Sequence, residues 1–200
     1  MTSRGAKDRK KWEELYASGG RPDRPPSRWV ARTLAALPND VPVVDVGGGT
    51  GRHAALVARP GRTVVIADIA LQAVAAARTA NSAVRAIVAE AAMLPLRAGS
   101  FGIVLVTNFL DRSLFPALIA LIAPGGHLVY ETYTMAHLEL VDRGLARGPH
   151  SKEYVLRPGE LPELAGGLEL VEYWEGEVED EAGRRCCARL LAQCARRNAE

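Results

Sequence analysis

The sequence predicts an α/β fold built on a doubly wound, mostly parallel sheet of seven strands that ends in an antiparallel hairpin. Apolar strand-like runs alternate with helix-like segments from residue 41 onward, a pattern typical of parallel strands joined by right-handed crossovers. A glycine-rich turn follows the first of these runs. Two β-rich runs near the C-terminus flank the turn sequence Asp180-Glu181-Ala182-Gly183, which predicts the hairpin.

Composition limits the classes of protein that the chain can represent. Its 200 residues, 48% of them hydrophobic, suffice for one core, with residues 1–40 as a leading helical segment and residues 41–195 as the main domain. A formal net charge of +2 gives no strong case for a nucleic-acid partner. The polar N-terminus is unlike a secretory signal, and no run approaches the ~20 apolar residues of a membrane span. These features predict a cytoplasmic protein without a membrane partner.

The three cysteines, Cys186, Cys187 and Cys194, all lie near the C-terminus. Their spacing is not that of metal ligands, and the two adjacent residues would point to opposite faces of a strand. We expect them to be reduced and structural, and we expect no metal site.

The N-terminal segment is expected to be helical in two parts. Residues 2–11 are charged, which predicts fraying, whereas the apolar spacing over residues 12–16 predicts a short amphipathic helix. Two glycines and a proline-rich connector at 19–26 would end that helix. Ser27 is a candidate N-cap for a second helix that extends to residue 37.

The later elements follow from apolar runs and helical patterns between turn signals. Five parallel strands are predicted at 41–46, 63–67, 84–88, 101–106 and 127–131, and two hairpin strands at 168–178 and 185–194. Helices are predicted at 53–58, 70–78, 113–123 and 161–164, the third of them capped by Ser113 with Pro116 in its first turn. The polar stretch 133–157 is expected to be part helix and part loop, and long excursions of this kind are usually functional.

The glycine-rich turn carries the most specific signal. The first strand and the turn spell Asp45-x-Gly47-Gly48-Gly49-x-Gly51. Glycines permit positive φ angles and let a ligand approach bare backbone. A dinucleotide-binding turn has the spacing Gly-x-Gly-x-x-Gly, and here the third glycine position is occupied by Arg52. The turn therefore predicts a cofactor site of another kind, and Asp45 suits a cationic ligand better than a diphosphate.

This stretch resembles motif I of the class I S-adenosylmethionine-dependent methyltransferases, a Rossmann-like family. The resemblance implies that S-adenosyl-L-methionine is the cofactor and that the leading helical segment folds over it as a lid. Trp12 or Tyr16 would then either meet the ligand or, as we favour, pack in the core. A terminal antiparallel hairpin is also typical of the family. The sequence departs from the family pattern at Gly102, where an Asp usually follows the Phe at the start of the fourth strand.

Three acids, Asp45, Asp68 and Glu90, end consecutive predicted strands, where ligands of open α/β sheets bind. Asp68 stands at the distance from Asp45 at which an acid reaches ribose hydroxyls, and we expect it to be exposed. The resemblance further implies that the segment around Glu90 grips adenine. The predicted cofactor-binding residues are Tyr16, Asp45, Gly47, Gly48, Gly49, Gly51, Asp68, Ile69, Glu90, Ala91, Thr107 and Asn108.

The ends of the fourth and fifth strands are expected to supply the acceptor side. Arg112 is a candidate partner for an anionic acceptor or, alternatively, for Asp111. His137 and His150 are candidate bases, and His53 and His127 are expected to be structural. The candidate catalytic residues are Asn108, Arg112, Glu131, Tyr133, His137 and His150.

Several alternatives remain open from sequence. A small-molecule acceptor, such as a thiol or chalcogen compound, is favoured over nucleic acid because Asn108 is not followed by the Pro-Pro-aromatic run typical of amino-group methylation. More narrowly, the chain resembles the tellurite-resistance branch, although Glu179 and Asp180 in the hairpin would repel an oxyanion. A non-catalytic cofactor-binding subunit and a nicotinamide-dependent oxidoreductase are the competing classes. We expect a monomer or a homodimer.

Overall fold

The computed structural model describes residues 3–18, 24–181 and 183–196. Its helices are α1 (Ser3–Ala17), α2 (Arg28–Ala36), α3 (Leu71–Ala80), α4 (Phe115–Leu121), α5 (Met135–Asp142) and α6 (Glu160–Leu164). Its strands are β1 (Val43–Val46), β2 (Val64–Asp68), β3 (Arg85–Val88), β4 (Phe101–Thr107), β5 (Ile122–Tyr133), β6 (Glu169–Asp180) and β7 (Gly183–Gln193). The predicted helix end and connector over 19–23, and Ala182 of the hairpin turn, lie outside the described residues.

The predicted fold class is confirmed. One seven-stranded sheet has the order β3-β2-β1-β4-β5-β7-β6, in which the first five strands are parallel and β7 runs antiparallel to both of its neighbours. Apolar residues of β1 and β4 alternate between the two faces, so both faces of the central sheet are covered by helices. Helices α4 and α6 pack on one face, and α2 and α3 pack on the other.

Two local predictions are wrong. Residues 53–58 form no full helix but a single 3₁₀ turn, Ala54–Leu56, because Pro60 disfavours helical backbone just ahead of it and because His53 is drawn into the interior. Residues 2–11 were expected to fray, yet helix α1 begins at Ser3. Isolated helices of this length are marginal in water, so packing of α1 against α3 and against the loops after β1 and β3 supplies the stability that its own sequence lacks.

The predicted caps also differ from the structure. Ser27 occupies the N-cap position of α2, but its side chain makes no capping hydrogen bond there and is used elsewhere. Ahead of α4, a 3₁₀ turn at Arg112–Leu114 is capped by Asp111, whose carboxylate accepts a hydrogen bond from the Ser113 amide. Pro116 does lie in the first turn of α4, where its missing N–H costs nothing.

The departure at Gly102 has a steric cause. A Cβ atom at Gly102 would lie 2.4 Å from the Cβ of Val41 and 2.5 Å from its Cγ2. Because Val41 precedes β1 and its Cβ is fixed to the backbone, the neighbour cannot rotate away. The position at the start of β4 therefore accepts only glycine in this chain.

We predict that Gly102→Ala lowers the free energy of unfolding by about 1–3 kcal/mol, the usual cost of overpacking. Because the clash involves the Val41 side chain, the double variant Gly102→Ala, Val41→Gly should be less destabilised than the sum of the two single variants. Urea unfolding of the four proteins measures the coupling. Strict additivity would show that the clash does not exist.

No helix in the described part of the chain combines the length and apolar character that a membrane span requires. Within the same residues, no group of three or more His, Cys, Asp or Glu side chains is arranged to hold a metal ion. Cys186 and Cys187 are buried, Cys194 is half-buried, and all three are free thiols.

Candidate active site

The three acids at the strand ends meet at one edge of the sheet. Strands β1, β2 and β3 are adjacent and parallel, and Val46 of β1 is in register with Ala67, the residue before Asp68. Asp45 lies one residue before the end of β1, and Glu90 follows β3 by two residues. Because the carboxyl ends of parallel strands share an edge, this arrangement brings the predicted cofactor acids together at the site where open α/β sheets bind ligands.

Asp45 is the most unusual of these acids. Its side chain is fully buried, and neither carboxylate oxygen forms a well-aligned hydrogen bond with a described residue, although the backbone N–H of Ala54 lies close enough to lower its pKa. Burial, followed by repulsion from Asp68, raises the pKa of Asp45 to about 7, and the nearby charge of Arg52 opposes that rise. A buried carboxylate without a partner is costly, so its position indicates a cationic ligand rather than a structural role.

Gly48 lies directly against this carboxylate. A Cβ atom at Gly48 would stand 2.7 Å from the Cγ of Asp45 and 2.9 Å from one of its oxygens. The turn can therefore pass over the carboxylate only as bare backbone. Gly47 and Gly49 have positive φ angles of 68° and 57°, which a side chain would disfavour.

Asp68 differs from its prediction, because it is not an exposed acid. Its side chain is only 8% exposed, and its two oxygens accept hydrogen bonds from the amides of Gly49 (2.8 Å) and Ala70 (2.9 Å). The bond to Gly49 ties the glycine turn to the end of β2. Asp68 therefore shapes the turn. Each of its oxygens already accepts one hydrogen bond, so a ribose hydroxyl would have to donate to a second lone pair of the same oxygens.

Helix α1 covers this edge of the sheet. A Cβ atom at Gly5 would lie 2.4 Å from the Cδ of Glu90, so the helix backbone near its N-terminus touches that carboxylate. At the other end of α1, the Tyr16 hydroxyl would lie 2.4 Å from a Cβ atom at Gly49. Tyr16 lies eleven residues after Gly5, about 16 Å along the helix, so α1 connects two parts of the predicted cofactor site. In this conformation α1 stands where a cofactor in contact with both Glu90 and Gly49 would lie.

The other predicted cofactor residues line the same edge. Ile69 and Ala91 are half-buried beside the two acids that precede them. Gly51 has a positive φ of 81°, and a Cβ atom there would strike Ile66 at 2.5 Å, which makes Gly51 a packing requirement. Thr107 is buried at the end of β4.

Asn108 is the one non-glycine residue in the described part of the chain with a positive φ, 52°. Asparagine tolerates this left-handed conformation better than most residues, and such strained positions cluster at functional sites. Directly after it, Phe109 folds back over the glycine turn, so that a Cβ atom at Gly47 would lie 3.1 Å from its ring. The conformation of Asn108 thus closes the loop after β4 over the cofactor edge.

Glu131, a candidate catalytic acid, is already neutralised. Its carboxylate is 1% exposed and forms ion pairs with Arg185 (3.3 Å) and Arg189 (2.8 Å). Ser27 donates a third hydrogen bond to it at 2.9 Å, and Arg185 is also paired with Asp180 at 2.7 Å. This closed network joins β5 to the hairpin and α2. It does not leave Glu131 free to act as a base, and it also accounts for Asp180, whose charge is paired rather than directed at a ligand.

His53 belongs to the same network and was correctly expected to be structural. Its Nε2 accepts a hydrogen bond from the Ser27 amide at 3.1 Å, so the ring proton is on Nδ1 and is donated to the Thr107 hydroxyl, 3.1 Å away. Burial lowers the pKa of His53 to about 3, which keeps the ring neutral. The His53 side chain thereby links the segment after the glycine turn to Ser27 at the start of α2 and to Thr107 at the end of β4.

Arg112 has a partner, but it is not Asp111. Its guanidinium makes two hydrogen bonds, at 2.7 and 2.8 Å, to the two oxygens of Glu160, and it donates to the carbonyls of Glu153 and Val155. The same hydrogen bond from Arg112 is the main reason why the pKa of Glu160 falls to about 2. Arg112 therefore fixes the 152–160 segment to the loop after β4.

The remaining catalytic candidates do not form one site, because Tyr133 and His137 pack together in the interior whereas His150 lies on the surface. Tyr133 is 9% exposed and stacks on His137 with ring centroids 4.3 Å apart. His137 is fully buried, and its Nδ1 accepts a hydrogen bond from the Cys186 amide at 3.3 Å, so the proton is on Nε2. Burial lowers the pKa of His137. A neutral, buried ring with its basic nitrogen already engaged is not a poised base, and His150 lies on the exposed surface of the loop after α5.

Sequence reasoning missed the arginines of β7. Arg185 and Arg189 belong to no recognisable sequence motif. Their ion pairs with Glu131 become visible only in the strand pairing, which puts Arg189 opposite Glu131. The alternating burial of a strand was the one available signal, since a basic residue on the buried face of a central strand requires an acid beside it.

Residues 44–129 match the family model of a methyltransferase domain. Solved structures with the same fold include an S-adenosylmethionine-dependent methyltransferase from Methanosarcina mazei (20% identity, TM-score 0.68, covering 86% of this chain and 99% of that one). TehB from Haemophilus influenzae is a further one (18% identity, TM-score 0.64, covering 84% and 62%). A third is a structure solved in connection with the conversion of a disulfide bond into a thioacetal group during echinomycin biosynthesis (17% identity, TM-score 0.76, covering 96% of this chain and 94% of that one). No curated protein sequence matches this chain significantly.

The fold is that of the class I S-adenosylmethionine-dependent methyltransferases. The match to the methyltransferase domain covers residues 44–129, and this domain together with the fold implies S-adenosylmethionine as the cofactor. The likeness to TehB lies in the fold, at an identity too low to carry a substrate from one protein to the other.

We predict that Gly5→Asp accelerates cofactor binding. A carboxylate at position 5 would face Glu90, so like-charge repulsion moves α1 away from the site. Ala6→Asp is the matched control, because it adds the same charge one residue later at an exposed position of the same helix end. Stopped-flow measurement of S-adenosylmethionine association should show a several-fold increase for Gly5→Asp alone. An unchanged association rate with faster dissociation would instead mean that α1 covers the bound cofactor.

The raised pKa of Asp45 predicts a pH-dependent stability. A folded-state pKa near 7, above the usual value of an unfolded aspartate, means that stability is lost as the pH rises through 7. Asp45→Asn removes the buried charge, so the cofactor-free variant should melt at a higher temperature than the wild type at pH 8. The gain should shrink toward pH 5. The exposed Asp40, changed in the same way, should give no such pattern, and a loss of stability in Asp45→Asn at pH 8 would refute the assignment.

Proposed function

We propose that this protein is an S-adenosylmethionine-dependent methyltransferase that acts on a small-molecule acceptor. The observation that carries the proposal is the buried, unpaired carboxylate of Asp45 beneath a turn of bare glycine backbone. An ammonium group is the natural partner for such a carboxylate, and the amino-acid end of S-adenosylmethionine carries one. When bound, the cofactor supplies an electrophilic methyl group on its sulfonium sulfur.

The residues at the sheet edge divide the binding work between them. Asp45 would hold the ammonium group, and the glycine turn would let the ligand approach the backbone closely. Glu90 offers a carboxylate at the opposite end of the site, once α1 no longer contacts it. Asp68 holds the turn in place through the Gly49 amide. These assignments account for the three strand-end acids with three different roles.

Catalysis by this chain is proposed to depend on placement more than on acid–base chemistry. Methyl transfer from a sulfonium is a displacement, and the main contribution of a protein is to orient the nucleophile and to exclude water. Among the six catalytic candidates, Glu131 and Arg112 are engaged in ion pairs, and His137 is neutral with its basic nitrogen occupied. Such a site suits a nucleophile that is reactive without a strong base, such as a thiolate, and Asn108 is the residue best placed to meet it.

A small acceptor is favoured over a polymer by the charge of the chain. The formal net charge is +2, and three arginines of the acceptor side, Arg112, Arg185 and Arg189, are paired with acids. A nucleic-acid substrate would need a basic face with unpaired arginines and lysines. The fold around the site also encloses the edge of the sheet, with α1 on one side and Phe109 on the other.

Isothermal titration should show that S-adenosylmethionine and S-adenosylhomocysteine bind at micromolar level, about −8 kcal/mol, whereas NAD gives no heat. Asp45→Asn should weaken both ligands at least tenfold, because an amide offers an ammonium group no charge, while Asp40→Asn should leave them unchanged. Saturable NAD binding of similar strength would overturn the proposal in favour of an oxidoreductase.

Transfer of a labelled methyl group to thiols, selenite, tellurite, small carboxylates and bulk RNA across a salt series tests the acceptor class. We expect labelling of a small acceptor with little dependence on salt. Strong, salt-sensitive labelling of RNA alone would contradict the small-molecule assignment, and tight cofactor binding without any transfer would indicate a non-catalytic subunit.

A further inference from the structure

A cavity lies at the carboxyl ends of β4 and β5, on the acceptor side of the sheet. It has a volume of about 520 Å³. One wall comes from the loop after β4, a second from the start of α5, and the third from the 152–160 segment. Its lining residues are Arg112, Met135, Lys152, Glu153, Val155, Arg157 and Glu160.

Arg112 is held rigidly in this cavity. A guanidinium has five N–H donors, and in Arg112 four of them are used, two on Glu160 and one each on the carbonyls of Glu153 and Val155. The remaining N–H, on Nη1, has no partner among the described residues. A guanidinium fixed at four points loses little conformational entropy when the fifth donor binds a ligand, which favours recognition of an oxygen acceptor.

The charges of the cavity sum to a small excess of positive charge. Three basic and two acidic side chains line it, and Glu160 is shared by Arg112 and Arg157. Lys152 is exposed and forms no ion pair with a described acid. The net charge of one positive suits a ligand with a single negative charge. A dianionic phosphate would meet the carboxylates of Glu153 and Glu160 as well as the cations.

We propose that this cavity binds one carboxylate group of the methyl acceptor, between Lys152 and the free N–H of Arg112, with the apolar part of the acceptor against Met135 and Val155. Arg112 in the cavity wall lies four residues after Asn108, in the loop that follows β4, so the cavity and the proposed methyl-transfer site share that loop. That the ligand is the acceptor rests on the proposed function. The preference for a monoanionic carboxylate rests on the cavity alone.

Ligand-observed NMR with the full-length protein tests the charge preference without cofactor or turnover. Benzoate and benzamide have nearly the same shape and differ in charge. We expect benzoate to bind at millimolar level and benzamide to give no saturable signal. Binding of benzamide equal to that of benzoate, or tighter binding of inorganic phosphate than of benzoate, would overturn the proposal.

Two variants locate the binding site. Lys152→Gln should weaken benzoate binding about fivefold or more, and adding Arg157→Gln, which leaves Arg112 paired with Glu160, should weaken it further. The control is Arg85→Gln, an exposed arginine on the edge strand β3 at the far side of the sheet. Benzoate affinity that is unchanged in Lys152→Gln, or reduced equally in Arg85→Gln, would rule out this cavity.

A comparison of acceptors then tests the link to methyl transfer. Thioglycolate and its amide carry the same thiol, and only the first has a carboxylate. The carboxylate should lower KM several-fold in the wild type, and Lys152→Gln should remove that advantage. Benzoate binding that persists without any preference for thioglycolate would show an anion site that does not serve the acceptor. Failure to bind S-adenosylmethionine would refute the proposed function and leave the benzoate result intact.

Discussion

The buried carboxylate of Asp45 is the constraint on which the rest of the site depends. A charge in this position, with a pKa raised to about 7 and no ion-pair partner among the described residues, is costly to the folded chain. It can persist only beneath a turn without side chains, since a Cβ atom at Gly48 would strike it. The glycine turn is itself held in place by Asp68, whose carboxylate accepts a hydrogen bond from the Gly49 amide. Strained or unsatisfied groups of this kind persist where a ligand compensates them.

Buried carboxylates are paired with arginines on the acceptor side of the sheet edge, but Asp45 on the cofactor side is not. On the acceptor side, Glu131 is paired with two arginines and Glu160 is paired with Arg112, so these carboxylates are compensated within the chain. On the cofactor side, Asp45 is left without a partner. The paired side has a structural task, because its ion pairs hold the hairpin, α2 and the 152–160 segment in place. The unpaired charge at the end of β1 supports our proposal that a cationic group of the ligand binds there.

The sheet was largely predictable from sequence, whereas the network that supports it was not. Each parallel strand is a short apolar run bounded by turn residues, so its place follows from local pattern. By contrast, the bonds of Ser27 to Glu131 and to Arg185 join residues 104 and 158 positions apart, and no local signal contains them. The sequence predicts Ser27 as a cap because capping is a local interaction, whereas in the structure its hydroxyl donates a hydrogen bond to the distant Glu131. Helix α1 was underestimated for a similar reason, since its docking on Glu90 is a tertiary contact.

The most direct test of this account is the ionisation of Asp45 itself. The ¹³C chemical shift of its carboxyl carbon, followed by NMR from pH 4 to pH 9 and assigned with Asp45→Asn, reports that ionisation with and without S-adenosylhomocysteine, which retains the ammonium group. We expect a pKa near 7 in the free protein and a carboxylate that stays ionised well below pH 7 when the ligand is bound. An Asp45 pKa that the ligand leaves unchanged would contradict it.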